Sequence, residues 1–203
     1  MRHGKVLLLV VLGILAGCVT EIRKPNGELV EEKGPSCGPT PVEQVEAQVR
    51  QRIDHMKYEK GTELLSSIET IASCKEIALK PINEALKTEQ PPIRANLVYT
   101  LGIMGGSQAH AIVARQISDR SPVVRYEVAA ALLGFKDPSG VPILIGFLED
   151  EDRRIRFKSF QALQAFAKED FGYDFGAPED SRAAAVARWK KWWEAKRSEI
   201  VYE

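Results

Sequence analysis

Histidine, cysteine, hydroxyls and paired carboxylates carry most side-chain chemistry, and this chain is poor in the first two. It holds three histidines and three cysteines in 203 residues. His3 lies at the extreme amino end, and neither His55 nor His110 has a partner at metal-ligand spacing. No HExxH run, Gly-x-Ser-x-Gly elbow or phosphate loop occurs. Ser66 and Ser67 have no base nearby in the chain. Asp170, Asp174, Glu179 and Asp180 crowd together, but without the alternate ligands and closing glutamate of a calcium loop. The Asp170-Phe171-Gly172 triplet lacks the glycine loop and catalytic loop that would make it a magnesium site. These residues predict no catalytic group, no metal, no cofactor, and a protein that is not an enzyme.

Cys18 is different, because its chemistry is written in its neighbours. Arg2 and Lys5 precede an apolar run from Val6 to Leu15, which is too short to span a bilayer and has the length of a signal-peptide core. The run ends in Leu15-Ala16-Gly17-Cys18, which resembles the lipobox of bacterial lipoproteins. That resemblance implies a signal peptide over residues 1–17, cleavage before Cys18, a diacylglyceryl thioether on its sulfur and acylation of the new amino terminus. Each buried methylene contributes about 0.8 kcal/mol, so several chains make a durable anchor where one is marginal. Val19 in the next position leans towards the outer membrane, with the folded part facing the periplasm.

The elements that hold these residues follow. Residues 18–40 carry Pro25-Asn26-Gly27, Gly34-Pro35 and Gly38-Pro39 and no helical period, so they read as a flexible tether. Cys37 on that tether and Cys74 at a helix junction either pair, as an exported chain allows, or remain two free thiols. Thr40-Pro41-Val42-Glu43 reads as a capped helix start, with Pro41 in the first helical position. Val42, Val45, Val49, Ile53 and Met56 then form one stripe of an N-terminal capping helix within residues 41–60.

From residue 61 the sequence repeats itself. Arg94, Arg125 and Arg156 are spaced by 31 residues, as are Leu101, Leu132 and Leu163. Ile112, Val113, Ile117 and Asp119 map onto Ile143, Leu144, Leu148 and Asp150. A weaker copy runs through Leu64, Ile68 and Ile71 into Ile82 and Leu86, with Pro81 near the start of its second helix. The third arginine-bearing copy shows no normal second helix. One helix pair cannot bury its own stripe, so neighbours must stack. These units resemble HEAT-like repeats, with an aliphatic-arginine pair opening the first helix and leucine and aspartate ending the second. The resemblance implies an all-α fold: a short right-handed α-α superhelix of about four helix pairs within residues 61–198. It further implies a structural ladder in which Asp119 meets Arg125 and Asp150 meets Arg156, with Arg94 as the first rung.

The last helical stretch places Trp189, Trp192 and Trp193 on one face, read as a cap on the open end of the stack or, alternatively, as an aromatic platform for cell-wall glycan or peptide. Second-helix positions facing away from the core are Ala111, Ala114 and Arg115, then Pro142, Ile145 and Gly146, a candidate surface for a protein or peptide partner. Lysine plus arginine equals aspartate plus glutamate at 28 each, which argues against nucleic acid as partner. Loss of Arg2 and Lys5 with the signal leaves the remainder slightly acidic. Together these features predict a membrane-anchored, non-catalytic interaction scaffold. The remote alternative is an enzyme resembling bilin lyases, some of which are built on HEAT-like repeats.

Overall fold

The computed structural model describes residues 19–23 and 29–33 and, apart from residue 89, residues 41–200. Cys18, the residues before it and Cys37 lie outside the described residues. The chain divides into two units, Met1–Thr40 and Pro41–Glu203. In the first, β1 (Val19–Arg23) pairs antiparallel with β2 (Leu29–Lys33), Val19 opposite Lys33 and Arg23 opposite Leu29. The segment read as irregular tether therefore contains a pair of antiparallel strands. The alternation of Val19, Glu21 and Arg23 with Thr20 and Ile22 is too short and too polar to announce it.

The second unit is all helical among its described residues. In chain order it holds α1 (Val42–His55), α2 (Gly61–Ser73), α3 (Glu76–Ala85), α4 (Pro91–Met104), α5 (Ser107–Ala114), α6 (Pro122–Gly134), α7 (Val141–Phe147), α8 (Arg153–Ala167) and α9 (Glu179–Ile200). A 3-10 turn, Pro138–Gly140, leads into α7. The helices sort into two layers. The first helices of each pair stack in order, α2 on α4, α4 on α6 and α6 on α8. The second helices do the same, α1 on α3, α3 on α5 and α7 on α9. This is the α-solenoid arrangement that the 31-residue period demands.

The period also sets the core. Ile93, Leu97, Val98 and Leu101 of α4 are buried, and so are Val124, Val128 and Leu132 of α6. Leu144 and Leu148 of the α7 region close onto Leu163, Ala185, Val186 and Trp189. Gly140 makes the closest approach. A Cβ there would stand 2.4 Å from the Ala129 carbonyl oxygen, so only glycine lets the turn lie against α6. Each first helix also ends at a residue of positive φ: Lys75, Gly105, Lys136 and Lys168, at 49°, 69°, 63° and 60°. Three of these four left-handed stops are lysines rather than the glycine that tolerates them best.

Three local expectations change. Pro41 is the residue before α1 rather than its first helical residue, and no side chain caps that end. Pro81 lies inside α3, because that helix starts at Glu76. The third arginine-bearing copy does have a second helix: it is α9, displaced along the sequence by residues 168–178 and packed on α7. Within that connection Asp170 and Asp174 accept from the amides of Gly172 and Gly176, each at 2.7 Å, so both carboxylates make turns. The Tyr173 hydroxyl donates to the Leu148 carbonyl and Arg156 Nε to the Phe175 carbonyl at 3.1 Å, fastening the connection to the stack.

Candidate binding groove

The repeat arginines come first, because they fix the helices that shape the surface. Arg94 pairs with Asp119 through two parallel bonds of 2.8 Å, and both side chains are almost enclosed, 4% and 8% exposed. Arg125 does not reach the Asp119 carboxylate, nor Arg156 that of Asp150, so the implied ladder is corrected. Each repeat arginine instead donates Nη1 to the carbonyl six residues before it: Arg94 to Thr88 at 2.8 Å, Arg125 to Asp119 at 2.9 Å, Arg156 to Asp150 at 2.8 Å. The aspartate side chains are occupied locally, accepting from the Ser121 amide at Asp119 and the Asp152 amide at Asp150, both at 2.8 Å. Arg94 holds the Asp119 carboxyl well below its usual range, and the Ser121 amide adds to this against burial.

Between α4 and α6 the packing opens a groove. Gly102 and Ala131 meet there, with room for a Cβ on Gly102 only at 3.3 Å from that of Ala131. Such small residues let the helices come close and leave the larger neighbours standing proud. Tyr99, Gly102 and Ile103 form one wall, and Tyr126, Glu127, Ala130, Ala131 and Gly134 the other, around about 310 Å³. Tyr99 and Ile103 are 45% and 48% exposed. Val123, Leu65 and Phe157, on other turns and helices of the same layer, are also exposed. Burial, reinforced by the Glu127 charge, pushes the Tyr126 hydroxyl up to about 12. Burial also raises the Glu127 carboxyl, partly opposed by Lys158.

The surface expected on the second helices fares differently. Ile145 is 2% exposed and belongs to the core, so it cannot face a partner. Ala111, Arg115, Pro142 and Gly146 are exposed and Ala114 is half-buried, but Arg115 is drawn to Asn83 Oδ1 at 3.3 Å. Around α1 and α3 this layer is ionic, with Arg50 bridging Glu46 and Glu84 and Lys80 joining Glu46. The tryptophans form no common platform. Trp189 is wholly buried, and its ring stands at 88° to that of Trp192, which in turn is tilted 44° from Trp193.

Sequence reasoning also missed a pair. His110 Nε2 lies 2.7 Å from Asp137 Oδ2, with the Phe135 ring 5.2 Å from the imidazole. Burial pushes the Asp137 carboxyl up, but hydrogen bonds from Ser139 and His110 outweigh it and hold it below its usual range. The two residues are 27 apart in the chain and meet only because α5 packs on α6. Among the described residues no group of three histidines, cysteines or acids could hold a metal ion. Cys74 is disulfide-bonded.

A groove signal was present in the sequence. The fourteen residues of α4 include one charged residue, Arg94, and the thirteen of α6 only Arg125 and Glu127. Helices apolar almost all round expose apolar surface unless both faces are covered.

Comparison with known proteins bears on both architecture and activity. Deoxyhypusine hydroxylase of Rattus norvegicus is 28% identical over 94 residues, 44% of this chain and 31% of its own length. The Gallus gallus protein of the same name is 31% identical over 83 residues, 39% of this chain and 28% of its own. The chain thus spans less than a third of the curated relatives it matches. Both relatives are named as enzymes, which overturns the expectation of a non-catalytic scaffold and of a chain that is no enzyme. The model for HEAT repeats matches residues 110–187, from α5 into α9, which supports HEAT-like repeats there, and the helix pairs before it continue the same α-solenoid stack.

Proposed function

We propose that this chain binds a polypeptide segment in the α4–α6 groove. The observation that carries the reading is the wall formed by exposed Tyr99 and Ile103 and half-buried Tyr126, on two helices with three charged residues between them. Exposed apolar residues that line one groove mark interaction sites, and a groove between stacked helices suits a helix or an extended chain. A photo-crosslinker placed at Ile103 tests it in cells. A discrete adduct that disappears in Tyr99→Asp is the expected result, and no adduct from Ile103 in native membranes overturns the reading.

We further propose that the binding unit is held in the bacterial envelope by lipid on Cys18, in the outer membrane and facing the periplasm. The apolar run, the small residues before Cys18 and Val19 after it support this. Labelling with a palmitate analogue, followed by density separation of the membranes, tests both parts. A Cys18→Ala protein that keeps the label, or stays membrane-bound through a carbonate wash, overturns the anchor.

A second reading, favoured by the two hydroxylase relatives, is that the bound polypeptide is also chemically modified. Purified protein incubated with the deoxyhypusine substrate for which those relatives are named gives a product mass shift if it is right. Absence of product beside a working hydroxylase control overturns it.

A further inference from the structure

We infer that the groove selects a polypeptide presenting one lysine or arginine among apolar side chains, whose cation Glu127 receives between the rings of Tyr99 and Tyr126. This rests on the polypeptide-binding reading above and names the chemistry of the partner.

The charges around the groove lead to it. Of the three charged residues on α4 and α6, Arg94 is committed to Asp119 and the Thr88 carbonyl, and Arg125 to the carbonyls of Asp119 and Arg120. Glu127 is left over. It sits in the wall of an otherwise uncharged groove, half-buried, and among the described residues no side chain or amide donates a hydrogen bond to it. Withdrawing a carboxylate even partly from water without a donor costs free energy. Burial accordingly raises its carboxyl, which makes it a destabilising choice for the fold alone. Glutamine or alanine would line the same wall without that cost.

An incoming cation removes the penalty, and the surroundings suit one. Tyrosine faces attract ammonium and guanidinium groups. Lys158 of α8 already stands with Nζ 5.7 Å from the centre of the Tyr126 ring, without reaching salt-bridge distance of Glu127. It occupies the rim as a partial substitute. A purely apolar segment would bury Glu127 still deeper with no compensation, and an acidic one would be repelled. A basic residue flanked by apolar ones matches the whole lining.

The probe is a displayed library of random dodecapeptides, selected on the full-length protein in detergent and counter-selected on the Tyr99→Asp/Ile103→Asp variant. Groove-dependent peptides are expected to share a fixed lysine or arginine. A selected peptide and its norleucine analogue are then measured on wild type and on Glu127→Gln, whose folding is checked by helical circular dichroism. Wild type is expected to prefer lysine about tenfold, the size of one charge-assisted hydrogen bond. Glu127→Gln is expected to discriminate less than twofold, and Lys158→Met to bind the lysine peptide more tightly than wild type. Groove-dependent peptides without a basic position, or undiminished discrimination by Glu127→Gln, overturn this inference and leave the groove standing. Failure to select any groove-dependent peptide overturns both.

Discussion

Replacing Arg94 by methionine should be the most damaging single change in the arginine series. Arg94 makes three bonds of 2.8 Å, two to the Asp119 carboxylate and one to the Thr88 carbonyl, in a nearly enclosed setting. Methionine fills much of the volume but leaves Asp119 buried with the Ser121 amide as its donor. Breaking a buried pair from one side costs about 3–5 kcal/mol. For a folded unit of the size of Pro41–Glu203, each kcal/mol lowers the melting midpoint by about 2–4 °C, which makes roughly 6–20 °C in total. Arg125→Met removes bonds from one nitrogen to two carbonyls that water can reach, so its cost should be about 1 kcal/mol. Arg156→Met, losing three carbonyl bonds at 9% exposure, falls between. The double replacement Arg94→Met/Asp119→Leu should recover much of the loss, because no charge then stays buried. The pH dependence has a definite sign. The folded Asp119 carboxyl is depressed by Arg94, so the pair's contribution is full above the ordinary aspartate range and disappears as pH falls through the folded value. Thermal melts of wild type and Arg94→Met should therefore converge in acid. Equal losses for Arg94→Met and Arg125→Met, or a gap that persists below the folded value of Asp119, would refute the reasoning.

Glu127→Gln should raise the melting midpoint at neutral pH: the folded carboxyl is raised by burial, so its penalty is full above that raised value and absent below the ordinary glutamate range. A gain that is the same at pH 4 and pH 8 counts against it. The Ser159 hydroxyl is wholly buried on α8 with no partner, so Ser159→Ala should be neutral or stabilise by about 1 kcal/mol in urea titration, where loss of a real hydrogen bond would destabilise. Gly140→Ala should cost about 1–3 kcal/mol or more, because its Cβ meets the Ala129 carbonyl at 2.4 Å, whereas Gly134→Ala, with nothing within 4 Å, should be tolerated.

The repeat period made the interior legible. Leu101, Leu132 and Leu163 occupy equivalent places in one stack and are all fully buried, as spacing alone required. Hydrogen-bond partners were less legible. The arginines and aspartates were seen, but which atoms meet depends on where the chain turns between helices. There the Ser121 and Asp152 amides claim the carboxylates, and the backbone carbonyls are what the arginines reach. The second helix of the last pair was hidden because residues 168–178 break the period, although α9 then takes the expected place on α7. Ile145 was misplaced by one helical face, an error that a seven-residue helix, α7, gives little pattern to prevent. The His110–Asp137 pair was illegible in principle from motif spacing. Its two residues belong to different repeats, and only the stacking distance between α5 and α6 brings them together.

Positions that keep the period explain the fold, so positions that break it are where a particular activity must be sought. Tyr99 aligns with Ala130 and Gln161, Ile103 with Gly134 and Ala165, and Glu127 with Asn96 and Lys158. None of these is demanded by stacking, since each faces outward in its helix. Yet in α4 and α6 they assemble, together with Tyr126, two aromatic rings, an aliphatic side chain and one carboxylate around a single cavity, with Lys158 from the next helix at its rim. A chain selected only for a soluble stack would keep polar or small residues there, as α8 does with Lys158, Gln161 and Ala165. The same logic disposes of the argument from scarce histidine. A repeat protein does not need a linear motif to place an imidazole against a carboxylate, because stacking brings distant residues to 2.7 Å. Whether this chain binds only or also modifies what it binds therefore turns on the departures from the repeat, and those are concentrated on α4, α6 and the turn that carries Asp137.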